Sequence, residues 1–142
     1  ALLGLRFNVA CPHGYEPEKN FQIQAFRLSQ SSGARVEVVQ DPREAVTDAH
    51  VVYTDVWTSM GQEEEAEKRR DIFRAYQVIE SLMALAHPKA VVLHCLPAHR
   101  DEEITAAVLE GPQSVVFQQA ENRLHVQKAV LQKFLGGRTR KS

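Results

Sequence analysis

Ala90-Val91-Val92-Leu93-His94-Cys95 (AVVLHC) is an almost unbroken apolar run closed by Leu96-Pro97. A short run without a polar face needs cover on both sides, which points to a strand inside a parallel sheet. Upstream, His50 to Val56 (HVVYTDV) has the same character, and an amphipathic region over Glu64 to Ala86, broken near Tyr76, connects the two. That is a strand–helix–strand crossover. Further upstream, Leu5 to Cys11 and Val36 to Val39 read as strands. A helix from Pro17 to Ser32 with Gly33 as its stop lies between them, and an Asp41-Pro42 cap starts a short helix through Ala49. Downstream, Asp101 to Glu110 reads as a helix ended by Gly111-Pro112, Ser114 to Phe117 as a fifth strand, and about Ala120 to Leu135 as a last helix. The expected fold is α/β: one domain over residues 1–142, a doubly wound, mostly parallel sheet of about five strands with helices on both faces. Residues 137–142 are expected to fray.

Composition agrees with one globular unit: 142 residues, 44% apolar and 25% charged. A formal charge of −1 offers nothing to attract nucleic acid or an anionic membrane surface, so neither is an expected partner. No apolar run reaches the roughly 18 to 20 residues a membrane helix needs. Cys11 and Cys95 are too few to form a disulfide scaffold. The chain therefore reads as soluble and intracellular. Its opening, Ala1-Leu2-Leu3-Gly4, resembles the last turn of a helix already under way, as in a piece of a longer protein.

In an open parallel sheet, ligands meet the carboxyl ends of the strands. After the third strand stand Asp55-Val56-Trp57-Thr58-Ser59-Met60-Gly61, and after the fourth His94-Cys95-Leu96-Pro97. Asp55 is either a turn former or a partner for a cation. With the Ser59 hydroxyl and the backbone N–H groups of Met60 and Gly61 it complements an amino acid's ammonium and carboxylate. Cys95 is a nucleophile, a polar contact or a small buried hydrophobe. Pro97 ends the ladder, which frees the Cys95 and Leu96 carbonyls to accept hydrogen bonds from a ligand. Arg123 is a surface residue paired with Glu121 or Glu102, or a cation aimed into the crevice. His94, Cys95 and His99 supply too few ligands at this spacing, so no metal is expected. No turn carries a Gly-rich phosphate fingerprint, so no nucleotide cofactor is expected.

These motifs resemble the ornithine carbamoyltransferase family. Asp55 to Glu63 (DVWTSMGQE) matches its D-x-W-x-S-M-G-Q-E segment and His94 to Pro97 its H-C-L-P motif. Gly111 to Phe117, Ala120 to His125 and Gly14 to Pro17 resemble further family segments, so the likeness covers essentially the whole chain. It implies a trimeric transferase moving a carbamoyl group from carbamoyl phosphate to the side-chain amine of L-ornithine, giving citrulline and phosphate. It also implies residue roles. Asp55 and Ser59 hold the α-ammonium, and the Met60 backbone holds the carboxylate. Cys95 lies beside the reacting amine, nominally as proton acceptor, and its carbonyl and that of Leu96 grip the carbamoyl NH₂, with Leu96-Pro97 cis. Arg123 polarises the carbamoyl oxygen.

Two departures from the family pattern stand out: Asp101 stands where Gly is common, and Gln118-Gln119 replace more acidic residues. The family's S-T-R-T-R phosphate loop and H-P-x-Q segment are not in these residues, so the carbamoyl phosphate-binding N-terminal domain is an expected partner outside them. The resemblance implies a cytoplasmic or mitochondrial enzyme of arginine biosynthesis or the urea cycle. A reading of another class is a non-catalytic amino-acid-binding or assembly module of the same fold.

Overall fold

The computed structural model describes residues 1–58 and 65–135. Ser59, Met60 and Gly61, and the frayed tail expected at 137–142, fall outside the described residues.

Two parallel strand pairs organise the chain. β1 (Arg6–Ala10) and β2 (Arg35–Val39) pair with Phe7 opposite Val36, joined by α1 (Lys19–Ser32). Gly33 ends α1 in the left-handed region (φ 72°), and its N–H reaches the Ser29 carbonyl, as its place after the last helical residue predicts. Asp41 caps α2 (Pro42–Val46) by accepting the Arg43 N–H at 2.8 Å. β3 (Val51–Thr54) then pairs with β4 (Val91–His94), Thr54 opposite His94. Between them the chain forms α3 (Ala66–Phe73), a 3₁₀ turn (Arg74–Tyr76) and α4 (Glu80–Met83), so the expected break near Tyr76 is present. α5 (Ala106–Leu109) and the long α6 (Val116–Leu135) complete the order.

Three expectations need correction. A single five-stranded sheet is not what the described residues form. β1–β2 and β3–β4 are separate two-stranded sheets. A cavity of about 490 Å³, lined by Asn8 and Ala10 of β1 and by Val51 to Thr54 of β3, lies between them. The fifth strand is reduced to a bridge: the Val92 N–H donates to the Gln113 carbonyl and the Val115 N–H to the Val92 carbonyl. No Gly or Pro separates Val115 from the helix-forming residues after it, so the helix starts at Val116, four residues early, and consumes the strand. Asp101-Glu102-Glu103 opens no helix. Asp101 turns back with φ 66°, and α5 starts after Thr105, whose side chain accepts the Val108 N–H. Asp101 thus occupies a left-handed position that suits the Gly common there, one that a short polar side chain tolerates.

The core gathers around β4. Val92, Ile104 and Val116 are fully buried and pack with Val78, Met83, Ala90, Val108 and Leu109. The apolar side chains of α1 are not covered among the described residues: Phe21 is 63% exposed and no α1 residue is buried. α6 is exposed from Ala120 to its end. Gly111 is required by close approach, since a Cβ there would lie 2.6 Å from the Ala107 carbonyl oxygen. Gly111→Ala is therefore expected to destabilise the fold by about 1–3 kcal/mol, read from the midpoint of urea unfolding.

Candidate functional site

The register of β3 and β4 builds the site. Because Thr54 and His94 are opposite, the next residues, Asp55 and Cys95, leave the two strands side by side. The Cys95 thiol donates to Asp55 Oδ1 at 2.9 Å across 40 residues of sequence. The same oxygen accepts the Val56 N–H at 2.7 Å, turning the chain out of β3. Beyond it, the Trp57 carbonyl accepts from Arg69 Nη1 at 3.3 Å, while Trp57 and Tyr15 both lean on the Phe73 ring. The Tyr15 turn after β1 and the segment after β3 are thereby held against α3.

Burial pushes the Cys95 thiol above its ordinary value, and the adjacent Asp55 carboxylate adds to this; the Tyr53 hydroxyl opposes it in part. Burial likewise raises Tyr53. A raised thiol is mostly protonated at neutral pH, so Cys95 is a hydrogen-bond donor there and a poor nucleophile. Alkylation of Cys95 by iodoacetamide, followed by peptide mapping, is expected to be slow at pH 7 and to accelerate only above the usual thiol range. Asp55→Asn removes the neighbouring charge and is expected to speed it at every pH below that range. A fast reaction in the unmodified chain at pH 7 contradicts the assignment.

Leu96 follows with φ 57°, and the Leu96-Pro97 bond is cis, as the resemblance implies. Behind the turn, His94 and Glu103 are both fully buried and meet at 3.0 Å. Both ring nitrogens of His94 are occupied: Nδ1 accepts the Leu96 N–H and Nε2 faces Glu103. Asp55, His94 and Cys95 also have donor atoms within 4.8 Å of one another. A second such group, His99, Glu102 and Glu103, lies on the following turn.

Arg123 is exposed on α6. It lies nearly two turns into the helix rather than in its first turn, because α6 begins at Val116. Neither pairing considered for it is formed among the described residues. Glu102 is held by Arg70 at 2.7 Å, and Glu121 lies 3.7 Å from His125. Gln119, one turn before Arg123 on the same face, accepts the His94 N–H at 2.9 Å and docks the start of α6 on the end of β4. The structure therefore brings Asp55, Cys95 and Leu96 to one sheet edge, with Arg123 one helical turn beyond the docking point. Three residues escaped sequence reasoning: His94, weighed only as a metal ligand, Gln119 and Glu103. Nothing local separates buried Glu103 from its half-exposed neighbour Glu102.

The family model for the aspartate/ornithine-binding domain of aspartate/ornithine carbamoyltransferases matches residues 1–134. The chain belongs to this carbamoyltransferase family. An ornithine carbamoyltransferase from Methanothermobacter thermautotrophicus is 54% identical over 136 residues, 96% of this chain and 45% of that protein. One from Acidothermus cellulolyticus is 57% identical over 141 residues, 97% of this chain and 45% of that protein. The structure of the Pyrococcus furiosus ornithine carbamoyltransferase superposes with a TM-score of 0.86 at 54% identity, covering 92% of this chain and 42% of that one. The chain thus spans less than half the length of the carbamoyltransferases it matches, and the matched part is the amino-acid-binding domain.

Proposed function

We propose that these residues form the ornithine-binding part of an ornithine carbamoyltransferase, which transfers the carbamoyl group of carbamoyl phosphate to the side-chain amine of L-ornithine. The products are L-citrulline and phosphate. The observation that carries this reading is the Asp55–Cys95 contact at the carboxyl ends of β3 and β4, where the thiol donates to a carboxylate that lines the crevice between the two sheets. In this proposal Asp55 holds the ornithine ammonium together with Ser59, and the Met60 backbone holds its carboxylate. The Cys95 and Leu96 carbonyls accept from the carbamoyl NH₂, and Cys95 positions the reacting amine beside them. Arg123 stabilises charge growing on the carbamoyl oxygen as the neutral side-chain amine forms the new C–N bond, the C–O bond to phosphate breaks and the amine's surplus proton leaves with the phosphate. No step requires a covalent enzyme intermediate or a cofactor; positioning and electrostatics suffice.

The carbamoyl phosphate site belongs to the part of the relatives that these 142 residues do not match. Apolar side chains exposed on α6, among them Leu131 and Phe134, offer surface for such a part to cover. A homotrimeric enzyme of arginine biosynthesis or the urea cycle, cytoplasmic or mitochondrial, completes the proposal. The test is citrulline formation by these residues alone and with the carbamoyl phosphate domain restored. Turnover only in the second case is expected; turnover by the 142 residues alone overturns this division of labour. Calorimetry separates a non-catalytic binding module, which binds ornithine without carbamoyl phosphate and yields no citrulline in either form.

A further inference from the structure

The buried pair behind Cys95 has no part in the chemistry above, yet its hydrogen bonds reach both ends of the reacting turn. The Leu96 N–H donates to His94 Nδ1 at 2.9 Å, so Nδ1 presents a lone pair. A neutral ring then carries its hydrogen on Nε2, which faces Glu103 Oε1 at 3.0 Å. The same Oε1 accepts the His99 N–H at 2.7 Å. One side-chain pair thus grips the turn at Leu96 and again at His99. Inside that span Leu96 holds a left-handed backbone, which is unfavourable for a non-glycine residue and must be held by its surroundings. The arrangement is also not the cheapest core. Glu103 Oε2 is buried with no hydrogen-bond partner among the described residues, where an apolar side chain would leave nothing unpaired.

We propose that His94 is a positioning residue for carbamoyl transfer: its Nε2–H tautomer, fixed by Glu103, holds the Leu96 N–H and so aims the Cys95 and Leu96 carbonyls at the carbamoyl group. The inference rests on the function proposed above. His94 and Glu103 touch no reactant; they act through the backbone between them. Misplacing reacting groups by an ångström costs about 10²-fold in rate, which sets the expected effect.

The test uses the full-length enzyme with two substitutions that divide the ring's functions. Asn at position 94 places its side-chain oxygen near Nδ1 and keeps an acceptor for Leu96. Gln reaches the Nε2 position and keeps a donor to Glu103, but leaves the Leu96 N–H without its acceptor. His94→Gln is expected to lower kcat about 10²-fold with KM for ornithine nearly unchanged, and His94→Asn to retain kcat within about tenfold of the parent. Equal losses in both variants, or losses confined to KM or to melting temperature, overturn the proposal and leave a merely structural histidine. Should neither variant fold, ¹⁵N chemical shifts of His94 in the unsubstituted enzyme decide. The Nε2–H tautomer supports the assignment, and a hydrogen on Nδ1 overturns it. An unsubstituted full-length enzyme that makes no citrulline overturns the functional reading itself, and the proposal with it. Wild-type activity therefore tells the two failures apart.

Discussion

Arg123→Ala in the full-length enzyme is expected to lower kcat for citrulline formation by about 10²–10³-fold, the range for removing one preorganised donor from a developing oxyanion. The expectation follows from helix geometry. Gln119 anchors α6 on the His94 N–H, and residues four apart on a helix share a face. Arg123 therefore extends from the anchored face, one turn beyond the strand end where Cys95 and Leu96 leave the sheet. In the proposed role its guanidinium interacts more strongly with the charge of the transition state than with the neutral carbamoyl oxygen. The loss should fall on kcat, with KM for ornithine within about threefold of the parent. Arg123→Lys keeps the charge but not the planar fork, and should recover only part of the rate. A variant whose kcat is unchanged, or whose whole defect lies in ornithine KM, would remove Arg123 from the reaction.

The largest stability effect is expected at Ile104, which is fully buried. It contacts the core from a loop, bridging to Val78 on one side and to Arg100 on the other. It lies directly after Glu103, so it seats both the core and the clamp behind the turn. Ile104→Ala removes three buried carbons from a site closed by Val92 and Val116 and should cost about 2–5 kcal/mol; Ile104→Val should cost about 0.5–1.5. Domains of this size have only about 5–15 kcal/mol in total, so the alanine variant loses a large share. Paired urea titrations of the two variants check the ordering. A cost below 1 kcal/mol for alanine would show that the surrounding loop collapses onto the gap.

Much of this was readable before folding, and for local reasons. The β4 run AVVLHC announces a strand, although only its Val92 and His94 face is fully buried among the described residues, with Val91 and Leu93 half-buried. Gly33 and the Asp41-Pro42 pair mark helix ends because left-handed backbone and N-caps select for those residue types. The Asp55 and Cys95 motifs were legible because strand ends in parallel sheets are where ligands meet the chain. The errors also have local causes. Ser114 to Phe117 has strand-like residues but no breaker behind it, and helix propagation from Val116 took the segment. Asp101-Glu102-Glu103 looks like a helix start, yet Asp101 enters the left-handed region and Thr105 supplies the cap instead.

The amino-acid sequence by itself determined most of the strand and helix segments, the residues at the strand ends and the family resemblance, all of which depend on neighbours in the chain. Tertiary structure alone decided which of those residues meet. Whether Cys95 is a nucleophile, a donor or a buried hydrophobe depends on burial and on a carboxylate 40 residues away. Glu103 differs from Glu102 only in which one the fold turns inward: one faces His94 in the core, the other Arg70 near the surface. Such distinctions arise from packing between segments distant in sequence, where desolvation and hydrogen-bond partners are set, and neither quantity is a property of a residue's own neighbours.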